Sequence, residues 1–96
     1  MKFMISWRLH EGKIQAGYDA FSKMTPEQDA ADRGKGIKLI GRWHDIACGR
    51  GVVVCETDGA EALANWSLNW SDVLSTQAVP VVDDNEARAL YKARVK

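Results

Sequence analysis

The sequence predicts an α+β fold, a four-stranded antiparallel sheet with two helices on one face and a further helix at the C-terminal end. Three observations point there. Strand-like apolar runs occur four times. Two stretches between them carry apolar residues at helical spacing. Finally, the run Cys48, Gly49, Arg50, Gly51 joins two of the strand-like runs through a tight turn, which makes that pair an antiparallel hairpin. At 96 residues with 46% apolar content the chain fills one modest core, so residues 1–96 form a single domain.

Over residues 2–10, Phe3, Ile5, Trp7 and Leu9 fall on one face and Met4, Ser6, Arg8 and His10 on the other, the period of a half-buried strand. Glu11 and Gly12 break it. Ile14, Gly17, Tyr18, Phe21 and Met24 then recur at three and four, predicting an amphipathic helix over 13–24 in which Gly17 permits a close approach to the sheet. Thr25, Pro26 and Gln28 supply a capping hydroxyl, a proline at the first helical position and an amide three residues beyond the cap. They start a short second helical turn that Arg33, Gly34, Lys35 and Gly36 end. Residues 37–46 and 52–57 are the hairpin strands. Asp58, with Glu61 three residues on, is a capping-box pattern that opens a helix with Leu63, Trp66 and Trp70 on its inner stripe. Residues 72–82 make the fourth strand, and Pro80 confines it to an edge or a bulge because proline donates nothing to a ladder. Asp83, Asp84, Asn85 and Glu86 then cap a C-terminal helix whose Ala87, Leu90 and Tyr91 are expected to fold back on the body.

Thirteen Lys and Arg balance thirteen Asp and Glu, which removes the electrostatic footprint of a general nucleic-acid or acidic-membrane binder. Arg8 interrupts the N-terminal apolar run before a signal-peptide core is complete, and no window approaches the roughly 18 apolar residues of a membrane span. A cytoplasmic protein with neither nucleic-acid nor membrane partners is expected. Cys48 and Cys55 are placed on opposite arms of the hairpin, offset so that their Cα atoms lie ~10 Å apart, beyond disulfide reach, and two free thiols follow. His44, Asp45 and Cys48 lack the paired soft ligands of a metal site, so no metal and no other cofactor is expected.

Strand, helix, strand, strand, helix, strand is the split β-α-β order of ferredoxin-like folds, βαββαβ with an added C-terminal helix. One sheet face is uncovered in that arrangement. Met4, Ile40, Ile46 and Val53 are assigned to it, and a second copy is the usual cover for such a patch. Several runs carry a family resemblance: Gly41, Arg42, Trp43 and His44; the glycine-bearing hairpin; Glu56, Thr57 and Asp58 leading into Glu61, Ala62 and Leu63; the Trp66 and Trp70 pair; and Pro80 and Val81 before an acidic cap. Together they resemble a family of short bacterial proteins of unknown function in the dimeric α+β barrel superfamily. The likeness covers essentially the whole chain. It implies a homodimer in which two four-stranded sheets face one another to close a barrel. It implies no activity, since that superfamily spans cofactor-free monooxygenases, haem-degrading enzymes, lactone isomerases and plain binding or stress proteins. A haem-degrading relative would carry an amide side chain on the first strand and a helix-borne histidine. Here Ser6 and Arg8 stand in the first place, and His10 and His44 lie off the predicted helices.

Ser6, Arg8 and His10 on the second face of the first strand, and Arg42 and His44 at the matching parity of the second, are assigned to one concave surface with either Cys55 or Glu56. Hairpin register decides which. A three-residue loop at 49–51 opposes His44 with Glu56 and Arg42 with Asp58, whereas a two-residue turn opposes His44 with Cys55. The first pairs opposite charges and is preferred. Two arginines beside an imidazole could hold an anionic substrate and move a proton. Alternatively, Arg8 and Arg42 form cross-strand or inter-subunit ion pairs with Asp45, Glu56 or Asp58, and His10 is an exposed strand end. Trp66 and Trp70, four apart, read as helix-to-sheet core, and Tyr18 as helix core with its hydroxyl at the rim. Trp43 is the indole left over for a ligand.

Two functions are therefore open. One is a small-molecule-binding or regulatory homodimer with Arg8, Arg42, Trp43 and Glu56 around the ligand. The other is a cofactor-independent enzyme, monooxygenase-like or isomerase-like, that acts on a small anionic or aromatic substrate with His44 or His10 as the acid-base group.

Overall fold

Clean alternation in the first nine residues produces a strand that can bury one face, and it becomes a central strand of the sheet. In the computed structural model, which describes residues 1–95, β1 (Lys2–Leu9) pairs antiparallel with both β3 (Arg50–Glu56) and β4 (Leu74–Val81). β2 (Lys38–Asp45) pairs antiparallel with β3, giving the order β2-β3-β1-β4. Helices α1 (Ile14–Ser22), α2 (Pro26–Arg33) and α3 (Ala60–Asn69) lie over one face, and α4 (Asp84–Arg94) follows β4. This is the ferredoxin-like βαββαβ topology with α2 inserted before β2 and α4 appended.

The core sits between the sheet and α3. Ile5, Val53 and Cys55 meet Ile37, Leu63 and Trp66, with Phe3, Trp7 and Leu39 packed around them. Ile5 faces Val53 and Phe3 faces Cys55 across the ladder, so inward positions of the two central strands coincide. Burial of each such aliphatic side chain contributes ~1.5–3 kcal/mol. α1 comes close through Gly17, where a Cβ would lie 2.5 Å from Leu9 Cδ2. α2 carries the expected capping box. Thr25 Oγ1 accepts from the Gln28 amide at 3.1 Å, and Gln28 Oε1 accepts from the Thr25 amide at 2.9 Å. Yet α2 buries none of its residues, so polar contacts must hold it to the body.

The hairpin turn falls earlier than its glycine pattern predicts. Ile46–Cys48 form a single 3-10 turn closed by Gly49 in the left-handed region at φ 68°, and Arg50 and Gly51 already belong to β3. Asp45 therefore faces Arg50, His44 faces Gly51 and Arg42 faces Val53, so His44 opposes neither Glu56 nor Cys55. Two contacts impose this register. The Gly49 carbonyl accepts from the Leu9 amide at 2.7 Å. At Gly51 a side chain is excluded, because a Cβ would lie 2.5 Å from the Trp43 carbonyl oxygen and collide with the Trp7 indole.

A bulge between Leu39 and Gly41 exchanges the faces of β2. Leu39 packs on the core, and strict alternation would send Gly41 and Trp43 inward after it. The extra residue, Ile40, shifts the phase by one. Arg42 and His44 turn toward the helices, and Trp43 is left 58% exposed on the open face. Val53, assigned to the open face from sequence, is instead 3% exposed in the core. Ser6 and Arg8 alternate with Ile5, Trp7 and Leu9 and so stay on the open face. They do not share a surface with Arg42, and of the two inward residues only His44 also borders the open-face hollow that Ser6 and Arg8 line.

The helix starts differ from one another. α3 begins after Gly59 with no side-chain cap, and Asp58 lies 3.7 Å from the N-terminal ammonium instead. α4 does form its capping box, with Asp83 Oδ1 accepting from the Glu86 amide at 2.8 Å. It does not fold back on the body. Lys2 reaches Glu86 at 3.1 Å and Asp83 at 3.5 Å, which pins the first turn at the sheet end. Beyond it Leu90 and Tyr91 remain 60% and 68% exposed. The Cα radius of gyration, 15.3 Å, exceeds the about 12.5 Å of a compact chain of this length, as a projecting helix requires. β4 is an edge strand with Pro80 opposite Phe3, in keeping with the proline.

Candidate functional site

Because the bulge turns Arg42 and His44 inward, both line a helix-side cavity of about 90 Å³. Its floor is the sheet at Ile5, Trp7 and Val53, and its walls come from α1, α2 and the end of α3.

His44 lies among three aromatic rings, with centroids 5.2 Å from Trp7, 5.6 Å from Tyr18 and 5.1 Å from Phe21. Its Nδ1 is 3.0 Å from Tyr18 Oη. β2 is a sheet edge, so the residue keeps solvent contact while the ring packs. Loss of water around the ring, and then the positive charge of Arg42, hold the imidazole below its ordinary pKa. It is neutral near pH 7. Burial, with Asp45 adding to it, pushes the Tyr18 hydroxyl up, so the phenol stays protonated. When Tyr18 donates to Nδ1, the imidazole proton sits on Nε2, and that nitrogen is left for a visitor.

Arg42 is already paired. Its Nη2 donates to Asp29 Oδ2 at 2.8 Å and its Nη1 to Asp29 Oδ1 at 3.2 Å, and its guanidinium carbon stands 4.9 Å from the centre of the Phe21 ring. Arg33 Nη1 donates to the same Asp29 at 3.0 Å. Burial alone would raise the Asp29 carboxyl, but the hydrogen bonds and charges of Arg42 and Arg33 outweigh it and hold the group below its usual range.

One helical turn further along α2, Asp32 is held by the tryptophan pair. Its Oδ2 accepts from Trp70 Nε1 at 2.7 Å and from Trp66 Nε1 at 3.2 Å, and its Oδ1 accepts from Asn69 Nδ2 at 3.2 Å. Asp29 and Asp32 are thus the polar contacts that fasten α2 to β2 and to the end of α3.

The structure separates the sequence candidates. His44, Arg42, Trp66, Trp70 and Tyr18 meet at the cavity. Arg8 and Trp43 lie across the sheet, in a hollow of the open face that His44 also borders, beside Arg50, which donates to Asp45 at 2.9 Å. Glu56 is exposed at the end of β3, 3.9 Å from Lys2. His10 follows β1 with Nε2 3.2 Å from the Ser71 carbonyl oxygen, away from the cavity. The ion pair expected of Arg42 exists, but its partner is Asp29 rather than Asp45, Glu56 or Asp58. Cys48 is exposed and Cys55 fully buried, and burial pushes the Cys55 thiol up, as suits an inert core residue.

Sequence reasoning missed Asp29, Asp32 and Phe21. A signal for Asp32 was present: two indoles four residues apart on an inner stripe need an acceptor for their N–H groups. Among the described residues, no group of three or more His, Cys, Asp or Glu side chains is placed to hold a metal ion. Among the same described residues, no helix is long and apolar enough to cross a membrane.

Among solved structures the chain is similar to the crystal structure of L-rhamnose mutarotase FA22100 from Formosa agariphila. Identity is 15% and the TM-score 0.49, over 86% of this chain and 94% of that one. No curated protein matches. The family described as Domain of unknown function (DUF3303) matches residues 1–95, nearly the full length, and the chain belongs to that family.

Proposed function

We propose that this DUF3303 protein binds one small, ring-sized molecule in the helix-side cavity. The observation that carries the reading is the Tyr18–His44 hydrogen bond set among the aromatic walls of Trp7, Phe21, Trp66 and Trp70. An apolar enclosure with a few convergent polar groups is the usual make-up of a small-molecule site. The four tryptophans supply the test, since Trp7, Trp66 and Trp70 line the cavity and Trp43 is on the other face. In a fragment screen followed by NMR, a binding fragment shifts the indole N–H signals of the first three and leaves that of Trp43 in place. A ring-compound library that moves none of the three at millimolar concentration refutes the reading.

A second reading, proton transfer by the protein's own side chains, is favoured by the neutral His44: in the tautomer whose Nδ1–H donates to Tyr18 Oη, the unengaged Nε2 holds the lone pair that takes a ligand proton. A bound ligand would then exchange a C–H for deuterium in heavy water with the wild type and not with His44→Ala. Exchange that survives the substitution removes this reading.

The uncovered sheet face supports a homodimer as the working form. Met4, Trp43 and Val79 are 38%, 58% and 39% exposed on it, and a second copy facing this surface would remove them from water. Light scattering should return twice the chain mass of 10.7 kDa. A monomer mass at tens of micromolar protein excludes the dimer.

A further inference from the structure

We infer that the ligand is neutral and presents a hydrogen-bond donor, a hydroxyl or amine on a ring-sized apolar body. The inference rests on the small-molecule reading above and follows from which polar groups of the cavity are already engaged.

Arg42 is occupied at two points by Asp29. An anion approaching the guanidinium must displace a bidentate carboxylate that Arg33 also holds in place. The indole N–H groups of Trp66 and Trp70 both point at Asp32 Oδ2, so these rings offer a ligand only their faces. Thr76 Oγ1 donates to Ser67 Oγ at 3.0 Å. That leaves two donors, the Ser67 hydroxyl and the His44 Nε2–H, which a ligand hydroxyl oxygen can meet, and one acceptor, Asp32. A carboxylate has about four acceptor positions. Trp66 and Trp70 take two on Oδ2, and Asn69 takes one on Oδ1. The open position on Oδ1 accepts and cannot donate. A ligand hydroxyl or amine completes the set, whereas a ligand carboxylate meets a fixed negative charge. A cation would gain from Asp32 but must share the cavity with the Arg42 charge. The anionic substrate expected from an Arg8 and Arg42 pair is replaced, since those two arginines stand on opposite faces of the sheet.

The test titrates the full chain near pH 7 with phenol, toluene, benzoate and benzylammonium, read by the Trp66 and Trp70 indole N–H signals. Phenol should bind about tenfold tighter than benzoate and several-fold tighter than toluene, the scale of one hydrogen bond to a charged acceptor. In Asp32→Asn the advantage of phenol over toluene should shrink while toluene affinity holds. Benzoate binding as tightly as phenol, or benzylammonium binding more tightly, overturns the ligand class. So does a phenol advantage that persists in Asp32→Asn. If that variant does not fold, the ranking of the four probes on the wild type decides alone. Binding in the wrong order defeats this inference and leaves the cavity reading standing, whereas four probes that move no cavity indole defeat both.

Discussion

Replacing Asp32 by Ala removes the acceptor shared by two indole N–H groups, and the geometry sets the size of the loss. The 2.7 Å bond to Trp70 and the 3.2 Å bond to Trp66 are part-buried, while the bond to Asn69 is exposed. Hydrogen bonds to a charged group contribute ~1.5–3 kcal/mol when well buried, so partial water access puts the Trp70 bond near the lower end and the longer Trp66 bond near ~1 kcal/mol. Alanine returns about 0.5 kcal/mol through helix propensity. The net loss is about 2 kcal/mol, a fall in Tm of roughly 8–16 °C for a chain of this size. Helix propensity and the indole contacts separate in a double-mutant cycle with Trp70→Phe, measured by urea unfolding with circular dichroism. The coupling between positions 32 and 70 should be about 1–1.5 kcal/mol. A coupling of no more than about 0.3 kcal/mol, the usual scatter of independent sites, would refute the claim that the carboxylate fastens α2 through the tryptophans.

Three further outcomes are expected. Gly51→Ala should cost about 2–3 kcal/mol, because the new methyl meets backbone at Trp43 as well as the Trp7 indole; denaturant unfolding checks this, and a loss below about 0.5 kcal/mol would show that the strand yields. Folding holds the His44 pKa below the ordinary imidazole value of 6.5, so the unfolded chain binds more protons as pH drops. Stability is therefore full above that pH and is lost as pH falls through the folded value. His44→Gln should flatten this acid limb, and an unchanged slope would assign the dependence elsewhere. A thiol reagent should modify one cysteine per native chain, Cys48, and reach Cys55 only on unfolding; two fast thiols in native buffer would contradict the packing of β3.

Local chemistry was legible where it depends on neighbours in the chain. Thr25 with Gln28 and Asp83 with Glu86 both close capping boxes, and Pro80 marks an edge strand. The same spacing at Asp58 and Glu61 formed none, because the Gly59 amide reaches Thr57 Oγ1 at 3.3 Å and Asp58 turns to the N-terminus. Legibility ended where phase and distance decide. Nothing in Leu39, Ile40 and Gly41 announces a bulge beyond a glycine within a strand, and that one residue decided which face Arg42 and His44 occupy. Asp29 and Asp32 went unmarked in the sequence, since their partners lie 13, 34 and 38 residues away. The apolar stripe of α4 was visible, but a stripe does not reveal whether anything meets it.

The bulge at Ile40 has a wider meaning. Running β2 straight through Ile40 would keep every chemical group and pair Gly41 with Val53 and Trp43 with Gly51, turning an indole in where an imidazole and a guanidinium now stand, whereas losing Ile40 itself would leave both facing the helices. β2 is at the sheet edge, where added or lost residues disturb one neighbour only. On this scaffold, cavity chemistry can therefore be gained or lost through the pairing phase of one edge strand as readily as through residue identity. Two chains with nearly the same residues could then present opposite chemistries.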